Sequence, residues 1–231
     1  MSDRAELDTA VNAWITDEAY ATATYGDINT WDVSAITDFS RLFQNKTTFN
    51  SDISNWNVSS GTNFQLMFGN ATAFNQDIGS WDVSSGTDFS YMFQEANAFN
   101  QNIGSWDVRN GTNFQAMFYR NNSFNQDLAG WNISNGNNFS DMFYGANLMQ
   151  SNYGFSTTPT ASEFDSIAPA PPSTPNLIDV SDTGISNTDN ITSDTSPTFT
   201  GTAEANSTIN LISNGSSIGT ATTDGSGDFS V

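Results

Sequence analysis

Carboxylate and amide side chains recur along this chain at a fixed step of 25 residues. Clustered carboxylates hydrolyse glycosidic bonds when two of them lie about 5 to 9.5 Å apart, and stacked repeats can supply that distance. The two columns are Asp32, Asn57, Asp82, Asp107 and Asn132, and Asp52, Asp77, Asn102 and Asp127. An active site is one irregular constellation, whereas these residues recur in every repeat. We therefore predict that they close turns or bind backbone amides, and that the protein is not an enzyme.

A column of tryptophans has the same step and offers a second kind of chemistry. Its members are Trp31, Trp56, Trp81, Trp106 and Trp131. A row of exposed indoles would stack on sugar rings, whereas a row of buried indoles would form core. Trp81 and Val83 are two residues apart and share one face of a predicted strand. The sequence therefore predicts that the tryptophans are buried.

A column of asparagines follows one of the phenylalanine columns without exception. Its members are Asn50, Asn75, Asn100 and Asn125. These amides would either bind a ligand or form a ladder that pairs backbone groups left open by the bend. We predict the ladder.

The elements that position these columns are read from the repeat FNQDIGSWDVSSGTDFSYMF, which begins at Phe74. Phe89, Met92, Phe93 and Ala96 are spaced as one face of a short helix. The segment IGSWDV alternates as a short strand does. A fixed period of this length indicates stacked coils that bury their apolar faces on one another. The predicted fold over residues 24–155 is an α/β solenoid of about five coils, each a strand plus a short helix.

The flanking segments differ in composition from the repeats. Residues 1–23 contain an amphipathic helix, with Asp3 and Glu6 as a capping box, which we predict to cap the solenoid. Residues 156–175 are rich in proline and predict an extended linker. Residues 176–231 contain short alternating runs that predict part of an antiparallel β-sandwich. We expect the chain to be a monomeric module of a longer protein.

The charge of the chain limits its partners. There are 25 acidic against 5 basic residues, a net charge of -20, which repels nucleic acid and anionic membranes. The sequence holds no cysteine and no histidine, so thiolate and imidazole metal sites are excluded. No apolar run is long enough for a membrane span, and no signal peptide is visible. Arg41, Arg109 and Arg120 interrupt the acidic surface irregularly and indicate no basic patch.

The repeat resembles the 25-residue unit of the BspA-family leucine-rich-repeat surface proteins, in which the phrase runs close to F-N-Q-D-I-x-x-W-D-V-S-x-V-T-D-M-S-x-M-F. The resemblance covers about residues 24–155. One family valine is Ile36 here and then glycine, and the family methionine is Phe89. The glycines are Gly61, Gly86, Gly111 and Gly136. The resemblance implies a leucine-rich-repeat-like solenoid in a bacterial cell-surface or secreted protein linked to adhesion, and no enzyme.

The segment from Ser181 onward, SDTGISNTDNITSDTSPTFTGTAEANSTINLIS, is similar to the bacterial Ig-like repeats of large adhesins. In such domains an acidic segment of this kind is associated with calcium at module junctions. The resemblance carries calcium ligands over to Asp182 and Asp189, with Asp194 as a further candidate. Hard oxygen ligands of this type suit Ca²⁺. A solvated acidic loop is the other interpretation.

Together these features predict a non-enzymatic surface or secreted module for adhesion or protein interaction. In this interpretation the solenoid presents a binding face to an unknown surface protein or glycan, and the Ig-like repeat is a spacer. The alternative is a calcium-dependent carbohydrate-binding or polysaccharide-processing accessory domain. A purely structural stalk is a third possibility, which would have no binding surface.

Overall fold

The computed structural model describes residues 1–167, 173–178, 181–182, 192–203, 207–213, 216–224 and 228–231. The predicted calcium ligand Asp189 lies outside these residues. The chain divides into two compact units, Met1–Ala168 and Pro169–Val231, and each is described by itself.

The first unit begins with two helices, α1 (Arg4–Thr16) and α2 (Glu18–Tyr25), followed by a 3-10 turn at Ile28–Thr30. The sequence predicts one helix here, but the chain breaks at Asp17. Asp17 is extended, and its carboxylate accepts a hydrogen bond from the backbone N–H of Tyr20, so it caps α2. Capping satisfies N–H groups that a helix start leaves open, which is why an aspartate can restart a helix.

The repeats contain neither the helix nor the strand that their sequence predicts. Residues 31–146 are all described, and they form turns joined by single parallel bridges between Asp38, Asn63, Asp88, Asn113 and Asn138. The helix is prevented because residues at two repeated positions take left-handed backbone angles. These residues are Arg41, Leu66, Tyr91, Ala116 and Asp141, and Asn45, Asn70, Glu95 and Arg120. The prediction of a helix in each repeat is therefore wrong.

Backbone hydrogen bonds run between repeats instead of within a helix. Alternate N–H groups of one repeat donate to alternate carbonyls of the next. The bonds are Phe64 to Asp88 at 2.8 Å, Leu66 to Ser90 at 2.9 Å, Phe68 to Met92 at 2.9 Å and Asn70 to Gln94 at 2.7 Å. The same four bonds recur from the repeat at 39–45 to the repeat at 138–144. Successive repeats are thus tied together by their main chains.

Phenylalanine rings fill the interior and stack from repeat to repeat, as the columns predict. The ring of Phe68 lies 5.4 Å from that of Phe43 and 5.6 Å from that of Phe93, nearly parallel to both. Phe93 is fully buried and also lies 4.0 Å from Phe99. Offset stacking at these separations is favourable beyond the area that it buries.

Two helices follow the last repeat: α3 (Asn147–Tyr153) and α4 (Ala161–Ile167). The segment predicted as an extended linker, 156–175, therefore holds a helix. Glu163 caps the start of this helix, since its carboxylate accepts a hydrogen bond from the N–H of Thr160 at 3.2 Å. Phe164 in α4 is buried, and its ring lies 4.8 Å from that of Phe155. The sequence Thr-Ala-Ser-Glu at residues 160–163 is a helix-start signal, but the prolines of this segment favour the prediction of an extended linker.

Arg4 in α1 binds the exposed carbonyls of the first repeat. The N–H of Phe39 points to the second repeat, so the carbonyl of Asp38, in the same peptide group, faces the other way. Arg4 donates to this oxygen at 2.7 Å and to the carbonyl of Ser40 at 2.6 Å. Aligned peptide groups leave a partial negative charge at their carbonyl end, as at the end of a helix, and a guanidinium stabilises it.

We expect Arg4→Met to lower the free energy of unfolding of the repeat unit by about 1 to 2 kcal/mol, because the partly exposed guanidinium loses its bonds to two carbonyls and to the Asp8 carboxylate at 2.9 Å. Denaturant unfolding followed by tryptophan fluorescence measures this, since all 6 tryptophans lie in the first unit. Arg41→Met is the matched control, because the guanidinium of Arg41 has one long contact of 3.4 Å to Gln44. Equal losses in the two variants would show that Arg4 does not cap the repeats.

The second unit is β-rich. Strands β1 (Asn176–Leu177), β2 (Phe199–Thr202) and β5 (Asp228–Ser230) form one antiparallel sheet in the order β1-β2-β5. Strands β3 (Thr208–Ser213) and β4 (Ser216–Thr222) form an antiparallel hairpin with an irregularity at Leu211 and Ile212. The strands lie where the alternating runs predict them.

Candidate functional site

The repeated aspartates and asparagines close turns, as predicted. The Oδ1 atom of Asp82 accepts a hydrogen bond from the N–H of Ser84 at 3.0 Å, and Asn57 accepts one from Ser59 at 3.1 Å. The second column behaves in the same way, with Asp77 accepting from the N–H of Gly79 at 2.9 Å. An amide oxygen serves as well as a carboxylate oxygen in this turn, so Asn and Asp alternate within one column.

The protonation behaviour of these aspartates also fits turns. Hydrogen bonds from the side chain and the backbone of Ser84 lower the pKa of Asp82, and Ser34 does the same for Asp32. The side chain of Arg109, together with its backbone, lowers the pKa of Asp107. A general acid in glycoside hydrolysis needs a raised pKa, and these three groups are shifted in the opposite direction.

The asparagine column forms the predicted ladder. The Oδ1 atom of each asparagine accepts a hydrogen bond from the backbone N–H of the next. The distances are 2.8 Å for Asn50 to Asn75, 2.9 Å for Asn75 to Asn100 and 2.8 Å for Asn100 to Asn125. The side-chain amide of Gln101 adds a bond to the carbonyl of Asn75 at 2.9 Å. These amides are therefore engaged within the protein.

The tryptophan column is buried, which confirms the core prediction. Trp81 is 4% exposed, and its indole N–H donates to the carbonyl of Ile53 at 3.2 Å. Trp106 and Trp131 make the equivalent bonds to Ile78 and Ile103. No sugar-binding row of indoles exists along residues 31–146, all of which are described.

The variable positions of the repeat, by contrast, meet in a groove of about 390 Å³. We call it the tyrosine groove. Its lining residues are Tyr91, Gln94, Glu95, Ala116, Tyr119, Arg120 and Asp141. None of these residues belongs to the columns in which the same residue type recurs, so this combination of side chains is not repeated in the other repeats.

The floor of the tyrosine groove is Ala116, which is 2% exposed. The corresponding residues in the neighbouring repeats are Tyr91 and Asp141, both of them larger. A small residue between two larger ones leaves a notch between three successive repeats. The left-handed backbone angle at this position, with φ of 51° at Ala116, sets the direction in which these side chains leave the chain.

Tyr119 and Arg120 form a fixed wall of the groove. The ring of Tyr119 stacks on that of Tyr144 at 5.1 Å, with the two planes 12° apart. The guanidinium carbon of Arg120 lies 5.2 Å from the centre of the Tyr119 ring, in a cation–π contact. Arg120 also lies 3.7 Å from a carboxylate oxygen of Glu95. The charge of Arg120 is thus balanced within the groove.

The tyrosine groove is not evident from the sequence. The sequence indicates no patch at Arg120, because the residues around it in the groove belong to three different repeats. The three tyrosines Tyr91, Tyr119 and Tyr144, at positions where the residue type varies from repeat to repeat, are the signal that could have indicated it.

Two of the predicted calcium ligands, Asp182 and Asp194, lie next to Ser181 in the second unit. Asp182 is 5% exposed and directly follows Ser181, whose hydroxyl donates to Asp194 at 3.4 Å. The other oxygen of Asp194 accepts from the N–H of Ser196 at 2.9 Å. The described residues contain no group of three acidic side chains that could hold a metal ion. Asp182 and Asp194 alone therefore do not make a complete calcium site.

The repeats followed by a β-rich unit define a modular repeat protein. Residues 9–117 and 87–168 match the family described as Mycoplasma protein of unknown function, DUF285, and residues 169–231 match a bacterial Ig-like domain. The chain belongs to the DUF285 family, and its second unit is a bacterial Ig-like domain. No curated protein and no solved structure matches the chain. Within the described part of the chain, no helix has the length and apolar character that a membrane crossing requires.

Proposed function

We propose that this protein is a non-enzymatic adhesion or interaction module of a bacterial surface or secreted protein. The repeats form a solenoid of the BspA leucine-rich-repeat kind, and the Ig-like domain is a spacer. One observation carries the proposal. The repeated indoles, amides and carboxylates are engaged in core, ladders and turns, whereas the variable side chains line an exposed groove. Binding therefore belongs to the variable positions.

The matched families support this proposal in a general way. DUF285 repeats and bacterial Ig-like domains are typical of surface proteins. The resemblance of residues 24–155 to the BspA repeat adds adhesion as the expected activity. The net charge of -20 keeps such a module soluble and away from nucleic acid and anionic membranes.

The second candidate is a calcium-dependent carbohydrate-binding or polysaccharide-processing accessory domain. Asp182 and Asp194 favour it, since both lie next to Ser181. We propose Asp182, Asp189 and Asp194 as calcium ligands, with loop carbonyls supplying further oxygens. The burial of the tryptophan column counts against a carbohydrate platform built from indoles.

The test is retention of the whole chain on immobilised extracellular-matrix proteins, cell-surface proteins and cell-wall polysaccharides, with calcium and with a chelator. We expect retention on at least one surface without calcium. The variant Asp82→Asn is the matched control and should bind equally, because Asn57 already fills this turn position. No retention at any calcium level would contradict the adhesion proposal. Retention that needs calcium and is lost in Asp182→Asn would favour the second candidate.

A further inference from the structure

We propose that the tyrosine groove binds a neutral pyranose sugar, and that no calcium ion takes part. This inference rests on the proposed function, because it names the ligand class of the same variable surface. It is independent of the acidic segment of the Ig-like domain. Four features of the groove, namely its shape, its aromatic walls, its polar groups and its charge, lead to this class of ligand.

The shape of the groove fits a small ring. A volume of about 390 Å³ is within the range of small-molecule sites, about 300 to 1,000 Å³. Ala116 makes the notch, and Tyr91 and Asp141 border it along the direction of the repeats. A flat ring can lie over this notch between Tyr91 and Asp141, so that its edges reach the bordering side chains.

The aromatic walls suit a pyranose, which has a face of C–H groups and a rim of hydroxyl groups. Aromatic faces are negative and attract the polarised C–H groups of such a face. Tyr91 supplies the ring that can stack on such a face, whereas the faces of Tyr119 already contact Tyr144 and Arg120, so Tyr119 borders the groove with its edge. The stack with Tyr144 and the contact with Arg120 hold the Tyr119 ring in place before a ligand arrives, so little side-chain entropy is lost on binding.

The polar groups of the groove include both hydrogen-bond donors and acceptors, as sugar hydroxyls require. The amide of Gln94 can donate and accept, and the carboxylate of Asp141 can accept. Sugar hydroxyls are both donors and acceptors, so they can pair with each of these groups. A purely apolar ligand would leave Gln94 and Asp141 without replacements for the water that they lose.

The charge of the groove excludes acidic sugars. Arg120 is the only cation among the lining residues, and it is paired with Glu95 at 3.7 Å. Asp141 adds a negative charge, and the whole chain carries -20. A uronate or sialate carboxylate would therefore be repelled, whereas a neutral hexose or N-acetylhexosamine would not.

The decisive variant is Ala116→Leu, which fills the notch. The backbone accepts leucine in this conformation, because Leu66 occupies the same position of another repeat with φ of 57°. A second variant, Tyr119→Ala, removes a wall. Tyr20→Ala is the matched control, since Tyr20 is 59% exposed on α2 and lies outside the groove.

The experiment is isothermal titration of the whole chain, in chelator, with chitotriose, cellotriose, mannotriose and lactose, and with sialyllactose and a uronic acid trimer as acidic probes. We expect at least one neutral sugar to bind in the millimolar range or tighter, and each groove variant to weaken it about tenfold or more. Tyr20→Ala should bind as the unaltered chain does. Thermal melts confirm that the variants are folded.

Three outcomes would overturn the inference: no neutral sugar binds, only the acidic sugars bind, or Ala116→Leu and Tyr119→Ala bind as well as the control does. Failure here is distinguishable from failure of the proposed function. A chain that is retained on a protein surface but ignores the free sugars refutes the pyranose site and leaves the adhesion proposal standing.

Discussion

Replacing Phe93 with alanine is expected to lower the free energy of unfolding of the repeat unit by about 3 to 5 kcal/mol. Phe93 is fully buried, and its ring contacts those of Phe68, Phe99, Phe118 and Trp106. The rings around Phe93 are themselves buried and apolar, so the cavity stays dry and ring contacts are lost on both sides.

Denaturant unfolding followed by tryptophan fluorescence measures this loss, because Trp106 itself borders the cavity. Tyr20→Ala removes an aromatic ring of similar size from an exposed site and should change stability by no more than about 0.5 kcal/mol. Phe93→Leu should fall between the two. If Phe93→Ala costs no more than Tyr20→Ala, the rings do not stack through the interior as described.

Replacing Gly86 with valine is expected to destabilise the repeat unit by about 3 kcal/mol, the upper part of the usual range for overpacking. A Cβ atom at Gly86 would overlap the Phe89 ring and lie 2.9 Å from the carbonyl of Val83. The ring therefore occupies the space that a side chain at Gly86 would need.

The same contact explains two differences between this repeat and the BspA phrase that it resembles. That phrase has valine where Gly86 stands and methionine where Phe89 stands. We expect the double variant Gly86→Val, Phe89→Met to lose less unfolding free energy than the two single variants lose in sum, because the flexible methionine leaves room for the valine. A double-mutant cycle from denaturant unfolding measures this coupling. If the losses of unfolding free energy in the two single variants add up to the loss in the double variant, the Phe89 ring does not occupy the space that the valine would fill.

Burial was predictable from the sequence, whereas the backbone was not. The spacing of Phe89, Met92, Phe93 and Ala96 correctly indicates four residues that face the core. The same spacing arises without a helix, from turns in which Met92 bonds back to Phe89 and Ala96 to Phe93. The periodicity of apolar residues indicates which residues share a face, but both a helix and a series of turns are compatible with this spacing.

The choice between those backbones depends on contacts that lie about 25 residues away in the sequence. Leu66 and Tyr91 take left-handed angles that are costly for L residues. The bonds from Leu66 to Ser90 and from Tyr91 to Gln115 hold them there. No local propensity encodes such bonds, so single-sequence reasoning favours the helix.

The candidate site was hidden for the same reason. The tyrosine groove exists because left-handed residues of three successive repeats bring Tyr91, Ala116 and Asp141 side by side. By contrast, the turn-closing role of Asp82 and the hydrogen-bond ladder that includes Asn75 were predictable from the sequence. A residue type that recurs in every repeat has a structural role that every repeat needs.

The central claim is that main-chain bonds between successive repeats build the stack and leave the variable side chains for binding. Through-hydrogen-bond scalar couplings in the NMR spectrum of the deuterated chain test it most directly. The claim predicts couplings from the N–H of Leu66 to the carbonyl carbon of Ser90 and from Phe68 to Met92. Couplings from these N–H groups to carbonyls four residues earlier in the chain would show a helix in each repeat and contradict it.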